Sequence, residues 1–253
     1  MVPVLRFQVL ITGKGDLMRA LHCLFIGILI VVKFSGAQDT LAVNRSVVFG
    51  VKAGFLVSGF WGNGIRRFED HLIETVDDLT SRSIFFGTGG LFCSWGIIPD
   101  FISVQPELVY LRTGKNWEFS TEQGRVTAKV HNDYLALPLL FKMLIPLEGK
   151  VLPYAYLGPQ IMVRINTATD NFSALPSNSD AFESSNISKN ANLFDFGICT
   201  GFGIDFLTRS KNRWLLDLRY TFGTINLFDT EGFRDIRNSV FSFSTGFGWG
   251  SIQ

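Results

Sequence analysis

The sequence is poor in charged residues. Only 18% of its residues are Asp, Glu, Lys or Arg, against roughly 25% in soluble domains. Positive and negative side chains almost cancel, which leaves a formal net charge of +1. That balance provides neither the basic field that attracts nucleic acid nor an acidic tail, so we expect no nucleic-acid partner.

Cysteine and histidine are also scarce. The three cysteines, Cys23, Cys93 and Cys199, do not form the even, closely spaced set of a disulfide framework. Two of the three histidines, His71 and His131, lie outside the N-terminal leader and have no metal-ligand spacing. We therefore expect no metal site and no cofactor.

Residues 18–37 have the pattern of an export signal, and residues 1–17 form an upstream segment that does not belong to it. A basic start at Met18-Arg19 precedes an apolar core of about 12 residues and a small-residue stretch that ends at Ala37. We predict a start at Met18, cleavage after Ala37 and a short periplasmic lead-in over 38–46. A single transmembrane anchor is the alternative, but a spanning helix needs roughly 20 apolar residues.

The long apolar run over 132–163 has the composition of a membrane helix but not its backbone. Four prolines interrupt it, and each removes a backbone donor and clashes with the preceding helical turn. Read with a period of two, the run separates into one apolar row and one mixed row on each side of a break at 146–150, which predicts a β-hairpin. The four prolines are Pro138, Pro146, Pro153 and Pro159.

The same alternation recurs along the chain and predicts eight strands, although the second, near 84–94, cannot be phased. Short connections alternate with long ones. The pattern predicts an all-β fold over 47–253: an eight-stranded antiparallel transmembrane β-barrel with short periplasmic turns and long outer loops. The short connections are 95–101, 146–151 and 208–213, and the long ones are about 60–83, 112–128, 166–192 and 225–238.

The charged residues of the phased strands all fall in the mixed row. A Lys or Arg facing lipid at mid-depth costs about 2–4 kcal/mol, so this row should face the lumen. Side chains just fill an eight-stranded barrel, and we expect the inward charges to pair and plug it. The predicted lumen charge network is Lys52, Glu107, Lys142, Arg164, Asp195, Asp205, Asp217 and Arg219.

Four tryptophans fall at predicted strand ends. Trp95, Trp214 and Trp249 lie on the periplasmic side, and Trp61 lies at the outer end of the first strand. Aromatic girdles at both interfaces are typical of membrane barrels. The alternative is that these are ordinary aromatic residues near turns.

A helical pattern interrupts the first long connection. Phe68, Leu72, Val76 and Leu79 recur at helical spacing, and acidic residues flank His71. A membrane-embedded enzyme would need catalytic groups gathered here as an acid–base site. The favoured alternative is a solvated loop helix with its apolar stripe on the barrel rim, so we expect no catalysis.

Six motifs, in this order, resemble the PorT-like outer-membrane β-barrel family, common in Bacteroidota. The resemblance covers roughly residues 47–252 and implies the fold and the outer membrane of a Gram-negative bacterium, but little about activity. The chain departs from the family at its end, "GWGSIQ", because such chains often stop on an aromatic residue that helps barrel assembly. The motifs are "GVKAGFLVSGFWG" (50–62), "ISVQPELVYLRTG" (102–114), "NDYLALPLLFKMLIP" (132–146), "PYAYLGPQI" (153–161), "DFGICTGFGIDF" (195–206) and "LLDLRYTFGTINL" (215–227).

The expected partners are outer-membrane lipid, the barrel assembly machinery and a protein bound at the outer loops. The expected function is structural or interactive. An accessory role in protein secretion, as the resemblance implies, and a narrow porin remain open as alternatives. A soluble lipocalin-like binder is disfavoured, because the mixed row has too few charges for a solvated surface.

Overall fold

A computed structural model of the chain describes residues 47–98, 101–121, 124–145, 150–170, 191–208, 212–227 and 235–251. The predicted export signal and its lead-in lie outside these residues. The described part comprises one helix and eight strands: β1 Val47–Trp61, α1 Asn63–Thr75, β2 Asp77–Ile98, β3 Ile102–Thr121, β4 Gly124–Leu144, β5 Val151–Asp170, β6 Phe194–Leu207, β7 Arg213–Gly223 and β8 Arg237–Ser251.

The strands pair in chain order, and β8 pairs with β1 to close an antiparallel barrel. The predicted eight-stranded barrel is therefore confirmed. Val47 lies opposite both Trp95 and Ser251, so the first and last strands begin and end at the same rim as the short connections. Short turns mark the periplasmic side of such barrels, and we call this rim the periplasmic end and the other the outer end.

The register phases the second strand, which the sequence left open. Lys52 of β1 lies opposite Gly90 of β2, and Glu107 of β3 lies opposite Phe92. Residues directly opposite in an antiparallel pair share a face. Gly90 and Phe92 therefore face the lumen, and Leu91 between them is 56% exposed on the outside.

The connection predicted over 112–128 is wrong. β3 continues to Thr121 and β4 begins at Gly124, and the two strands pair from Arg112 opposite Asp133 to Thr121 opposite Gly124. The sequence pattern missed this extension because its outward row is polar, unlike the apolar outward rows of the membrane strands. Strands β2 to β5 thus form a wall that rises above the rest of the outer rim.

The outer surface of the barrel carries an apolar band. On β4 its outward row contains only apolar residues from Leu135 to Ile145 and becomes polar at Asp133. These 11 residues match the roughly 9–11 that a tilted strand needs to cross a bilayer. The band therefore ends near Asp133, and the wall above it is polar on its outward side.

Helix α1 packs inside the outer mouth. Ile65, Phe68 and Leu72 share one helical face and are buried against inward-facing residues of the wall, including Trp117 and Phe119. The predicted loop helix exists but begins at Asn63 and ends at Thr75, before Val76 and Leu79. No helix in the described part of the chain is long and apolar enough to cross a membrane.

The N-terminus of α1 is held by the segment that leads into β8. The Asn63 backbone N–H donates to Asp235 Oδ2 at 2.9 Å, and the Gly64 N–H donates to the Asp235 carbonyl at 3.1 Å. The first amides of a helix have no partner within the helix, and Asp235 supplies acceptors from the neighbouring strand's lead-in. Gly62 precedes the helix with φ of 117° and lies against Asp235, where a side chain would clash.

Candidate functional site

Glu107 lies at the centre of an ion cluster inside the barrel. Its Oε2 atom is 2.6 Å from Lys52 Nζ. The two terminal nitrogens of Arg219 donate to the carboxylate, one to Oε2 at 2.9 Å and the other to Oε1 at 3.0 Å. The three side chains come from β3, β1 and β7, and all three are buried. Strand alternation points each of them inward, and barrel closure brings the three strands around one carboxylate.

Asp205 forms the periplasmic part of the same cluster. Arg213 donates to its Oδ2 at 2.9 Å, and Lys142 Nζ lies 3.8 Å from that oxygen. Lys142 also donates to Gln105 Oε1 at 3.1 Å, and Gln105 in turn donates to Glu107 at 2.7 Å. Gln105 therefore connects the two ion-paired carboxylates.

Two tyrosines of β5 extend the cluster to Asp217. Tyr156 donates to Asp217 Oδ1 at 3.0 Å and accepts from Arg219 Nε at 3.1 Å. Tyr154 donates to Asp217 Oδ2 at 3.3 Å, and Lys142 Nζ lies 3.6 Å from the centre of its ring. The tyrosines give the buried charges hydrogen bonds and a polarisable ring face in place of water.

The structure brings together six of the eight residues predicted for the lumen network. The other two, Arg164 and Asp195, lie nearer the outer end. Arg164 donates to the Asn192 carbonyl at 3.1 Å, to Thr167 Oγ1 at 2.5 Å and to the Ala191 carbonyl. Asp195 accepts from Asn238 Nδ2 at 2.6 Å. The six that share the cluster are Lys52, Glu107, Lys142, Asp205, Asp217 and Arg219.

Sequence analysis missed Arg213, which belongs to the same cluster. It was assigned to the turn over 208–213, whereas β7 begins at Arg213. The signal was present, because Arg213, Asp217 and Arg219 are separated by even numbers of residues and fall in one row. Its side chain is buried with Asp205.

The lumen leaves little open space. Above the ion cluster lies a cavity of about 20 Å³, and α1 packs across the outer mouth above that. Among the described residues, no group of three His, Cys, Asp or Glu side chains is arranged to hold a metal ion. Nothing larger than a few atoms fits this cavity.

Glu69 fastens α1 to the wall. Its Oε1 atom lies 2.6 Å from Lys115 Nζ and accepts hydrogen bonds from Ser81 Oγ at 2.6 Å and Trp117 Nε1 at 3.1 Å. Burial alone would raise the pKa of this carboxyl, but the bonds from Lys115 and Ser81 outweigh it and hold the pKa below its ordinary value. His71, on the same helix, is exposed.

The four tryptophans predicted for the girdle lie at both rims. Trp95 faces Val47 across β1 and β2, and Trp249 faces Phe49 across β1 and β8, both at the periplasmic end. Trp214, one residue into β7, is 52% exposed there and packs edge-on against Phe247. Trp61 ends β1 at the outer rim, where its Nε1 donates to the Asn238 carbonyl at 3.0 Å.

A polar group lies on the outward face where the apolar band ends, and sequence analysis had assigned two of its members, Arg112 and Asn166, to loops. The Arg112 side chain points outward, because its two neighbours on β3 face inward, and it pairs with Asp133 at 2.5 Å. Tyr110 donates to Asp133 at 2.8 Å and Asn166 donates to it at 3.1 Å. These side chains neutralise one another across β3, β4 and β5 at the membrane boundary.

Three solved structures resemble the barrel at low identity. The outer membrane protein OprG of Pseudomonas aeruginosa is 13% identical, with a TM-score of 0.46, and the match covers 82% of this chain and 97% of that one. Ail of Yersinia pestis, solved with the heparin analogue sucrose octasulfate, is 10% identical, with a TM-score of 0.38 and coverage of 80% and 99%. Neisserial surface protein A is 11% identical, with a TM-score of 0.38 and coverage of 78% and 95%.

No curated protein sequence matches the chain. A family model described as the outer membrane protein beta-barrel domain matches residues 36–229, which include most of the closed barrel. The chain therefore belongs to the outer membrane protein beta-barrel domain family, and it resides in the outer membrane of a Gram-negative bacterium.

Proposed function

We propose that this protein is a non-catalytic barrel that binds a protein partner at its outer end, on a scaffold whose lumen is plugged by its own side chains. The observation that carries the proposal is the filling of the lumen. The ion cluster around Glu107 occupies the periplasmic half, and α1 packs across the outer mouth. A solute path and an enclosed substrate site both need space that these side chains occupy.

The wall formed by β2 to β5 is the surface that the proposal assigns to recognition. Its outward face above the apolar band carries exposed charged residues, including Arg82, Arg125 and Lys129. From Asp133 to Arg125 the strand rises roughly 20 Å, at about 3.4 Å per residue and a tilt near 40°. A rigid, hydrogen-bonded sheet of this height offers a partner a preformed surface with little ordering cost.

Two further features support this assignment. The outward face is polar rather than apolar, which suits a surface that meets water or a polar partner. The lipid-facing band selects little beyond lipid, and the periplasmic turns are short. We also propose that the barrel assembly machinery inserts the barrel. Aromatic residues at both rims suit the two membrane interfaces, so the same proposal assigns the girdle role to Trp61, Trp95, Trp214 and Trp249.

An accessory role in protein secretion is the second candidate. The ordered motifs that resemble the PorT-like family favour it, and in that case the partner would contact the periplasmic end. The narrow-porin alternative is weaker, because the cavity of about 20 Å³ holds little more than one water molecule.

The test is a pull-down from detergent-solubilised outer membranes with matched variants. One variant shortens the wall by joining residue 115 to residue 130 through a tight two-residue turn, and the control replaces the periplasmic turn at 209–211 with glycine and serine. We expect both barrels to fold and only the shortened wall to lose its partner, identified by mass spectrometry. Binding that survives the shortened wall but fails with the altered turn would contradict outer recognition and favour the secretion role. Steady single-channel currents in a planar bilayer would contradict the plugged lumen.

A further inference from the structure

The cavity in the lumen has a mixed lining, in which polar side chains stand beside apolar residues such as Leu56, Val109 and Leu111. Its volume of about 20 Å³ exceeds the roughly 10–15 Å³ that one water-sized particle requires. It is far too small for a sugar, a nucleotide or a peptide. Its polar lining comes from β1, β2, β5, β7 and β8 and consists of Lys52, Thr88, Gln160, Arg219, Thr221, Ser242 and Ser244.

Gln160 contributes an unpartnered amide to this cavity. The residue is 1% exposed, and neither its Nε2 nor its Oε1 atom has a hydrogen-bond partner. A buried polar group without a partner is costly, and Gln160 is one of the residues that line the cavity. The hydroxyls of Thr221 and Ser242 also line the cavity and are able to donate into it.

The charges inside the barrel do not balance. On the described strands, the ion cluster and its neighbours toward the outer end comprise five inward-facing cations and four inward-facing carboxylates. The ion pair of Lys115 and Glu69 at the outer mouth adds no net charge. One positive charge is therefore in excess in a buried setting, where uncompensated charge is strongly unfavourable. The cations are Lys52, Lys142, Arg164, Arg213 and Arg219, and the carboxylates are Glu107, Asp195, Asp205 and Asp217.

We propose that the cavity binds one small monovalent anion of the size of chloride. Lys52 and Arg219 make the electrostatic potential at the cavity positive, and Gln160 Nε2 and the hydroxyls supply hydrogen bonds to the anion. The bound anion neutralises the excess charge of the cluster and satisfies the Gln160 amide donor. Phosphate, sulfate and carboxylates are excluded by the cavity volume.

Bromide is the direct probe, because it replaces chloride and scatters anomalously. Crystals of the folded barrel grown in sodium bromide should show one anomalous peak in the cavity, in hydrogen-bond contact with Gln160 Nε2. A water molecule at that place in crystals grown in bromide, or no peak there, would overturn the proposal.

A solution experiment tests the charge argument separately. The urea midpoint of the barrel should be higher in sodium chloride than in sodium gluconate at equal ionic strength, and the difference should saturate as for one site. Gln160→Leu should abolish this difference. Arg213→Gln should also abolish it, although Arg213 does not line the cavity, because it removes the excess charge.

Lys129→Gln is the control, since Lys129 is exposed on the outward face of β4 and its loss should leave the chloride dependence intact. Equal midpoints of the wild-type barrel in the two salts would overturn the proposal. So would a chloride dependence that persists in both Gln160→Leu and Arg213→Gln. If either variant fails to fold, the anomalous peak in the wild-type barrel decides.

Discussion

At the scale of single residues, Glu107 is the carboxylate on which the lumen depends most. It contacts both Lys52 and Arg219 and has no exposed side-chain surface. A buried carboxylate of this kind offsets the desolvation of two cations. Its removal therefore leaves two buried charges poorly compensated, which is far more costly than the loss of one surface pair.

Glu107→Gln should lower the free energy of unfolding by about 3–5 kcal/mol. Glu118→Gln is the matched control, because it makes the same change on the same strand at an outward position that pairs with the exposed Arg82. Exposed ion pairs contribute about 0–1 kcal/mol, so the control should be nearly neutral. Urea unfolding of barrels refolded in lipid vesicles measures both values, and equal losses would show that Glu107 does not anchor a buried network.

At the scale of secondary-structure elements, α1 is held in the outer mouth by an apolar face and by Glu69. Its apolar face fills the mouth, but Glu69 provides the ion pair and hydrogen bonds to the wall described above. The carboxylate form makes these contacts, and the protonated form loses the attraction to Lys115.

The attachment of α1 should therefore weaken in acid. Because the pKa of Glu69 in the folded protein lies below its ordinary value, its stabilisation is fully present above the pKa of the unfolded chain and is lost as the pH falls through the folded pKa. Hydrogen exchange of the α1 amides, corrected for intrinsic rates, should accelerate below pH of about 4.5 while the β4 amides stay protected.

Glu69→Gln should show faster α1 exchange already at neutral pH and little further change in acid. Glu74→Gln, an exposed change on the same helix, should behave like the unaltered protein. Exchange of α1 that is independent of pH in the unaltered protein, or unaffected by Glu69→Gln, would contradict a role for this carboxylate.

At the scale of the whole molecule, the hydrogen-bond ladder of the membrane-spanning part closes on itself. Each strand pairs on both sides, including β1 with β8. A closed ladder satisfies the backbone inside lipid, where water is absent. Outward side chains such as Phe85 and Phe141, which are 67% and 52% exposed, then meet acyl chains rather than water.

The protein should sediment with outer membranes and resist extraction by carbonate, whereas a peripheral protein in the same fractions should be released. Closure should also make the folded barrel resist detergent, so boiled and unboiled samples should migrate differently on a gel. Release by carbonate, or identical migration before and after boiling, would contradict an integral closed barrel.

The sequence by itself determined the barrel and the direction of most of its side chains. A period of two with one apolar row per strand is a local property, readable at Leu135 to Ile145 without any knowledge of neighbouring strands. The prolines excluded a spanning helix for an equally local reason. The same row assignment directed Lys52, Glu107 and Arg219 inward, because charge is costly against lipid.

Only the tertiary structure decided which inward residues meet. Arg219 and Glu107 are 112 residues apart in the chain, and their contact depends on closure and on the register of every strand between them. The wall of β2 to β5 could not be recognised from the sequence pattern, because above the bilayer water replaces lipid and the outward row no longer has to be apolar. The packing of α1 in the outer mouth depends on inward-facing residues of strands that are distant in the sequence. A local sequence pattern does not show how close these residues lie to the helix.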